Sequence, residues 1–351
     1  MSDPMRPRIF VQFLDKPFIE PTRGDMINEL RFYKALMTFA DVYYNDHLLH
    51  PDGTFEIRPD KLYAPSRDYD LYYVRANAEL FKSLPHPKVT MALPYNEEMF
   101  AIADALIVTT QAWKDLLGSN GASDPDHAFL QKWYPKGFKT SSKIVNIRQS
   151  IDALFLKEIS PQDRFEARAM TTGAGVFGFF GRVTDETIPQ TLMRAIQTAK
   201  SRAKDTSPLL SAFAGNIRIA LPKDSLNLGT VPYEKMPALL SGCLATLGQE
   251  CADSSYLGSG KILDSMAVGT PIVSRRNLVR EEQLGADYPG LFDTQEEANE
   301  IIWKLCDGSD FSTELSNYLL ERRNMFTPTS NGAFIRQALE QAHMLPARQP
   351  S

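Results

Sequence analysis

The chain has 351 residues, 43% of them apolar and 23% charged, the size and composition of a globular protein of two domains. A net charge of −5 argues against a nucleic-acid partner, which would need a basic face. Cys243, Cys251 and Cys306 lack metal-ligand spacing and the five histidines form no HxxxH or HExxH pair, so reduced thiols and no metal site of His/Cys type are expected.

The predicted elements alternate. Arg8–Leu14 reads as a buried strand, and Asp25–Phe39 has apolar residues at helical spacing. Further strands are predicted at Ala40–Tyr44, Asp70–Val74, Lys88–Leu93, Ala105–Thr109 and Lys143–Ile147, with helical runs at Asn77–Ser83, Glu97–Ala103 and Gln111–Leu117. That order is the pattern of a parallel sheet with crossover helices. Gly118–Ser142 breaks the rhythm and reads as an irregular surface excursion.

A second series begins near Gly173. Strands are predicted at Val176–Phe180, Leu209–Ala214, Leu226–Thr230, Leu244–Leu247 and Pro271–Ser274. Helices are predicted at Ile188–Ala203, Glu234–Leu240, Ser259–Met266 and Gln295–Cys306. Residues 1–160 are therefore expected to form one Rossmann-like domain and 161–330 another. A last helix over 331–343 is available to pack back on the first domain. The start MSDPMRPR has no long apolar run, and no window approaches 18 uninterrupted apolar residues. A cytoplasmic protein is expected, with any membrane contact peripheral, at the inner face.

One segment concentrates the chemistry. Gly258 and Gly260 precede the helical run KILDSMAV, whose start presents unpaired N–H groups and the positive end of a helix dipole. Lys261 in the first turn is unfavourable for the helix and makes sense beside an anion. Asp264, one turn on, can accept from ribose hydroxyls. On spacing alone an ordinary helix–turn–strand unit reads the same way.

The run Lys261–Ser274 resembles the C-terminal-domain signature of family 4 glycosyltransferases, which have the GT-B fold. Four other segments resemble that family's motifs in the same order: Lys143–Phe155, Phe177–Val183, Leu209–Gly215 and Leu228–Leu240. The resemblance implies an α/β protein of two Rossmann-like parallel-sheet domains facing each other across a cleft. It implies a retaining, metal-independent hexosyltransferase of polysaccharide biosynthesis, with a nucleotide-sugar donor, a glycan or lipid-linked acceptor and no cofactor. Arg182 and Lys261 are then the catalytic candidates, neutralising charge on the leaving phosphate. Gly181, Gly258, Gly260, Asp264, Tyr256 and Val231 are the donor-binding candidates.

Several positions depart from the family pattern. The first acid of its E-x7-E motif falls on Tyr256, and the second is Asp264. Its Lys-Gly pair falls on Thr187-Ile188, and its first-domain histidine is missing from MALPYNEE. Glu250, Asp253 and Glu98 are the acids available to stand in. A degenerate protein that binds a nucleotide sugar or glycan without turnover is the alternative. A nucleotide-sugar epimerase is disfavoured by the scarcity of histidine in the second half.

The acceptor-side candidates are Gly24, in the PTRGD turn after the first strand, Arg75 and Asn77, at the carboxyl end of the DLYYV strand, and Glu98. Asp68-Tyr69-Asp70 matches a metal-binding D-x-D pattern, although Asp70 reads more simply as a strand start. Trp133, Tyr134 and Phe138 among Lys132, Lys136 and Lys139 form either a lipid-facing patch or a cap on the core.

Overall fold

Short apolar runs between Gly, Pro and Asx residues become strands in this chain, and longer amphipathic runs become the helices between them. The computed structural model describes residues 6–13, 24–44, 46–50, 65–118, 127–171, 175–202, 209–307 and 310–347. The chain divides into two compact units, Met1–Ser150 with Pro328–Ser351, and Ile151–Thr327.

The first unit holds β1 (Arg8–Phe13), β2 (Asp41–Tyr44), β3 (His47–Leu48), β4 (Leu71–Arg75), β5 (Lys88–Met91), β6 (Ala105–Val108) and β7 (Lys143–Asn146). They form one sheet in the order β3-β2-β1-β4-β5-β6-β7, parallel except where β3 turns back against β2. Residues Ile9 to Val11 have no exposure, because both faces of a parallel sheet are covered. Between the strands run α1 (Gly24–Leu36), α2 (Ala78–Ser83), α3 (Glu97–Ile102), α4 (Gln111–Gly118) and α5 (Ala128–Trp133). Helix α5 corrects the irregular excursion expected over 118–142. Its Phe129 is buried edge-on against Trp113, with ring centroids 6.3 Å apart, and that contact supplies the order that local propensity lacks. The acids Asp124 and Asp126 of that stretch lie outside the described residues.

The second unit holds β8 (Gly175–Val183), β9 (Leu209–Ile217), β10 (Ser225–Gly229), β11 (Ala245–Leu247), β12 (Ile272–Arg275) and β13 (Leu291–Phe292). Their order is β10-β9-β8-β11-β12-β13, all parallel. The helices are α6 (Pro161–Met170), α7 (Gln190–Arg202), α8 (Met236–Ser241), α9 (Gly260–Val268), α10 (Leu278–Leu284), α11 (Gln295–Cys306) and α12 (Phe311–Arg322). Sequence pattern predicts neither α10, β13 nor α12. α10 is only two turns, with a charged run between its apolar ends, and β13 only two residues, so neither shows a period.

The units part at Ser150/Ile151, ahead of the 160/161 division read from sequence. Ile151 and Phe155 are built into the second core, and the backbone N–H of Ile151 donates to the Phe326 carbonyl at 2.8 Å. The final helix, α13 (Pro328–Gln341), belongs to the first unit, where Ile335 and Leu339 share a core with Ile9, Leu36 and Val42. Its Gly332 lies so close to α1 that a Cβ there would collide with Thr38 Oγ1 and reach within 2.6 Å of the Ala35 carbonyl.

Candidate functional site

In the second sheet the chain runs from β8 outward to β9 and β10, then returns to β11 and continues the other way to β12 and β13. The β8/β11 junction is therefore the topological switch point, where open α/β sheets bind ligands beyond the carboxyl ends of their strands. A small cavity of about 20 Å³ lies there, lined by Phe179, Gly248, Gln249, Ser259, Lys261 and Ser265 among others.

Lys261 is the central group. It occupies the first turn of α9 and lies across Gly181, whose φ of 109° suits glycine and where a Cβ would collide with the lysine's Cε and Nζ. Gly215, with φ 119°, stands opposite Gly181 in the β8–β9 register, and a Cβ there would strike the Gly181 backbone. Gly181 thus clears the path that the lysine takes, and Gly215 makes room for the Gly181 backbone. Its ammonium sits 6.0 Å from the centre of the Phe179 ring and makes no ion pair among the described residues. Burial lowers its pKa to about 8; Arg280 pushes the same way, while Cys251 and Asp264 oppose. A half-buried cation with no acid in contact, at the N-terminus of a helix, is an arrangement that takes an anion.

The other donor-side candidates divide by position. Gly258 and Gly260 flank Ser259, the N-cap residue of α9, and neither has a positive φ. Asp264 lies half-buried one turn beyond Lys261. Tyr256 closes the 3-10 turn Ala252–Ser255, its backbone N–H donating to Asp253. Arg182 follows Gly181 on β8 and is exposed. Val231 packs its side chain on the second core. Thr187 is a turn lock: its hydroxyl donates to the Arg182 carbonyl at 2.8 Å and accepts from Thr184 N–H. Glu250, after β11, accepts from the Thr191 hydroxyl at 2.8 Å, while its Oε1 is buried without a partner.

In the first unit the switch point is β1/β4, and Arg75 and Asn77 are there. Both have structural employment. Arg75 Nη1 pairs with the 1%-exposed Glu29 at 2.5 Å, and its Nε donates to the Leu93 carbonyl. Tyr73 donates its hydroxyl to the same carboxylate, and burial together with Glu29 raises the Tyr73 pKa well above normal. Asn77 caps α2 and donates to the buried Gln12 at 3.0 Å. Glu98 is exposed and pairs with Lys82 at 2.9 Å. Gly24 is the first residue of α1, and residues 21–23 of its turn lie outside the described residues. Asp70 accepts from the Arg8 backbone N–H at 2.7 Å, which ties the start of β4 to β1.

Of the aromatic patch, Tyr134 is buried with its hydroxyl on the Ala92 carbonyl, and Phe138 packs edge-on against it at 5.1 Å. Two of its three rings therefore cap the core, and Trp133 stays half-exposed beside Lys132. Among the described residues no helix is long and apolar enough to cross a membrane, and no three His, Cys, Asp or Glu side chains are grouped to hold a metal ion.

Sequence reasoning misses two residues beside Lys261. Arg280 is 1% exposed on α10, and Gln283, three residues on, bonds to it and to the backbone of Ser259. An i, i+3 pair on an unpredicted helix leaves no signal to find.

No protein-family model and no curated protein sequence matches the chain. Solved structures do. HepE of Anabaena, in complex with UDP and glucose, superposes with a TM-score of 0.62 at 15% identity, over 95% of this chain and 99% of that one. Sucrose-phosphate synthase from Thermosynechococcus elongatus gives 0.61 at 15% identity, over 96% and 99%. The fold is thus that of the GT-B glycosyltransferases, two parallel-sheet α/β domains.

Proposed function

We propose that this glycosyltransferase-like chain transfers a sugar from a nucleotide-sugar donor to a hydroxyl of a glycan or lipid-linked acceptor, with retention and without a metal. The observation that carries the reading is the Lys261 ammonium, half-buried without an ion pair among the described residues, at the switch point of the second sheet. In this reading the donor diphosphate lies against Lys261, Gly181 and the first turn of α9. Arg182 supplies a second, mobile cation as charge grows on the leaving phosphate. Asp264 takes the ribose hydroxyls, and Tyr256 and Val231 border the nucleoside. HepE has been solved with UDP-glucose, which makes UDP-hexoses the first donors to try.

The second reading is binding without turnover. It is favoured by Tyr256 where the family resemblance expects an acid, and by Thr187 serving as a turn lock where it expects Lys-Gly.

The test is a panel of nucleotide sugars, scored for thermal stabilisation and for sugar release or transfer. Stabilisation with release supports the transferase. Stabilisation with neither release nor transfer, across glycan and lipid-linked acceptors, selects the second reading. No stabilisation by any nucleotide sinks both.

A further inference from the structure

Arg280 is buried, and among the described residues no carboxylate pairs with it. Its Nη1 donates to Gln283 Oε1 at 2.8 Å, and its Nε is buried with no partner. A desolvated guanidinium ordinarily keeps an acid beside it, because removing the cation alone from water is expensive. The hydrogen bonds lead from here to the site. Gln283 Oε1 accepts from the Ser259 backbone N–H at 3.3 Å, and Gln283 Nε2 donates to the Ser259 carbonyl at 3.1 Å. Ser259 is the N-cap residue of α9, and its own side chain makes no capping bond. Gln283 therefore holds both backbone groups of the N-cap residue, meeting its N–H as the amide or acid of a capping box does.

Resting on the reading that Lys261 and the start of α9 receive a diphosphate, we propose that Arg280 is a positioning residue for that anion. It orients Gln283, which grips Ser259 and fixes the start of α9. Its uncompensated charge adds positive potential where the diphosphate's negative charge falls. The missing counter-ion of this buried arginine is then the ligand itself, which explains why no acid of the chain occupies the place.

The experiment is calorimetric titration of the full chain with inorganic pyrophosphate, as a function of pH. Arg280→Met should bind about tenfold more weakly than the unmodified chain, and Arg280→Lys should recover part of the loss. Gln283→Glu sets a carboxylate beside the guanidinium at nearly constant volume and should also bind about tenfold more weakly. The groups facing the Lys261 ammonium are Cys251, Asp264 and Arg280, and Arg280 lowers its pKa. Removing Arg280 should therefore move the alkaline loss of pyrophosphate binding to higher pH, a shift that mere loosening of α9 would not cause. If Arg280→Met does not fold, Gln283→Glu decides alone. Affinities within about twofold of the unmodified chain in the variants that fold, with binding abolished in Lys261→Met, would overturn the role of Arg280 and leave the site. Pyrophosphate binding unaffected by Lys261→Met, or no binding by the unmodified chain, would overturn the site itself.

Discussion

At the scale of single residues, Lys261 and Arg75 show opposite uses of a cation at a sheet switch point. Lys261 has no acid in contact, and burial has brought its pKa to about 8. An anion bound there should hold best below that value, and affinity should fall by up to about tenfold per pH unit above it. The stability effect runs the other way. The unfolded chain keeps this proton up to its ordinary pKa, so between about 8 and 10 the unfolded state binds more protons and the lysine's contribution to stability rises with pH. Pyrophosphate titrations and thermal melts over pH 7 to 10 check both signs, and Lys261→Met should flatten both. Arg75, by contrast, is consumed by Glu29. Arg75→Met should cost about 3 kcal/mol by denaturant unfolding, because it leaves a buried carboxylate without its cation. A cost near zero would mean that the pair is not structural, and Arg75 would return as an acceptor-side candidate.

At the scale of elements, α9 and α13 owe their places to close approach. α9 starts on Gly260, ends on Gly269 with φ 74°, and carries Lys261 across Gly181, so its ends and its cargo are written in one local segment. That local coding is why Gly258–Ser274 stands out as a candidate site in the sequence. α13 is readable as a helix, but its seat against α1 depends on Gly332 meeting Thr38 and Ala35. Gly332→Ala should raise the intrinsic helix propensity and still destabilise the first unit, by about 1–3 kcal/mol, since the backbone carbonyl it meets cannot swing aside. Unfolding followed by Trp113, which is buried in that unit, reads this out. α5 teaches the converse: six residues in a polar, proline-flanked stretch show no period, and burial of Phe129 and Leu130 makes them a helix.

At the scale of the whole molecule, the two units have separate cores, and the chain enters the second at Ile151 and leaves it after Thr327. Ending the chain at Thr327 removes Ile335 and Leu339 from the first core while leaving the second core complete. The truncated protein should lose the cooperative unfolding of its first unit and retain pyrophosphate binding at Lys261. Loss of both together would show that the second unit does not hold its site unaided.

By itself the sequence determined most of the alternation of strands and crossover helices, though not α5, α10, β13 or α12, and with it the parallel α/β architecture, because strand and helix periods are local properties that survive without any knowledge of the fold. It also marked Lys261, since a cation in the first turn beside glycines is anomalous within a few residues. Only the tertiary structure decided what those residues meet. Arg75 and Asn77 stand at the expected strand end yet are taken up by Glu29, Gln12 and α2, and Tyr134 and Phe138 turn inward. Gln283, held by Arg280, reaches Ser259 from some twenty residues down the chain. Hydrogen bonds and charge pairs depend on distance in space, and sequence spacing carries that information only within a single turn or strand.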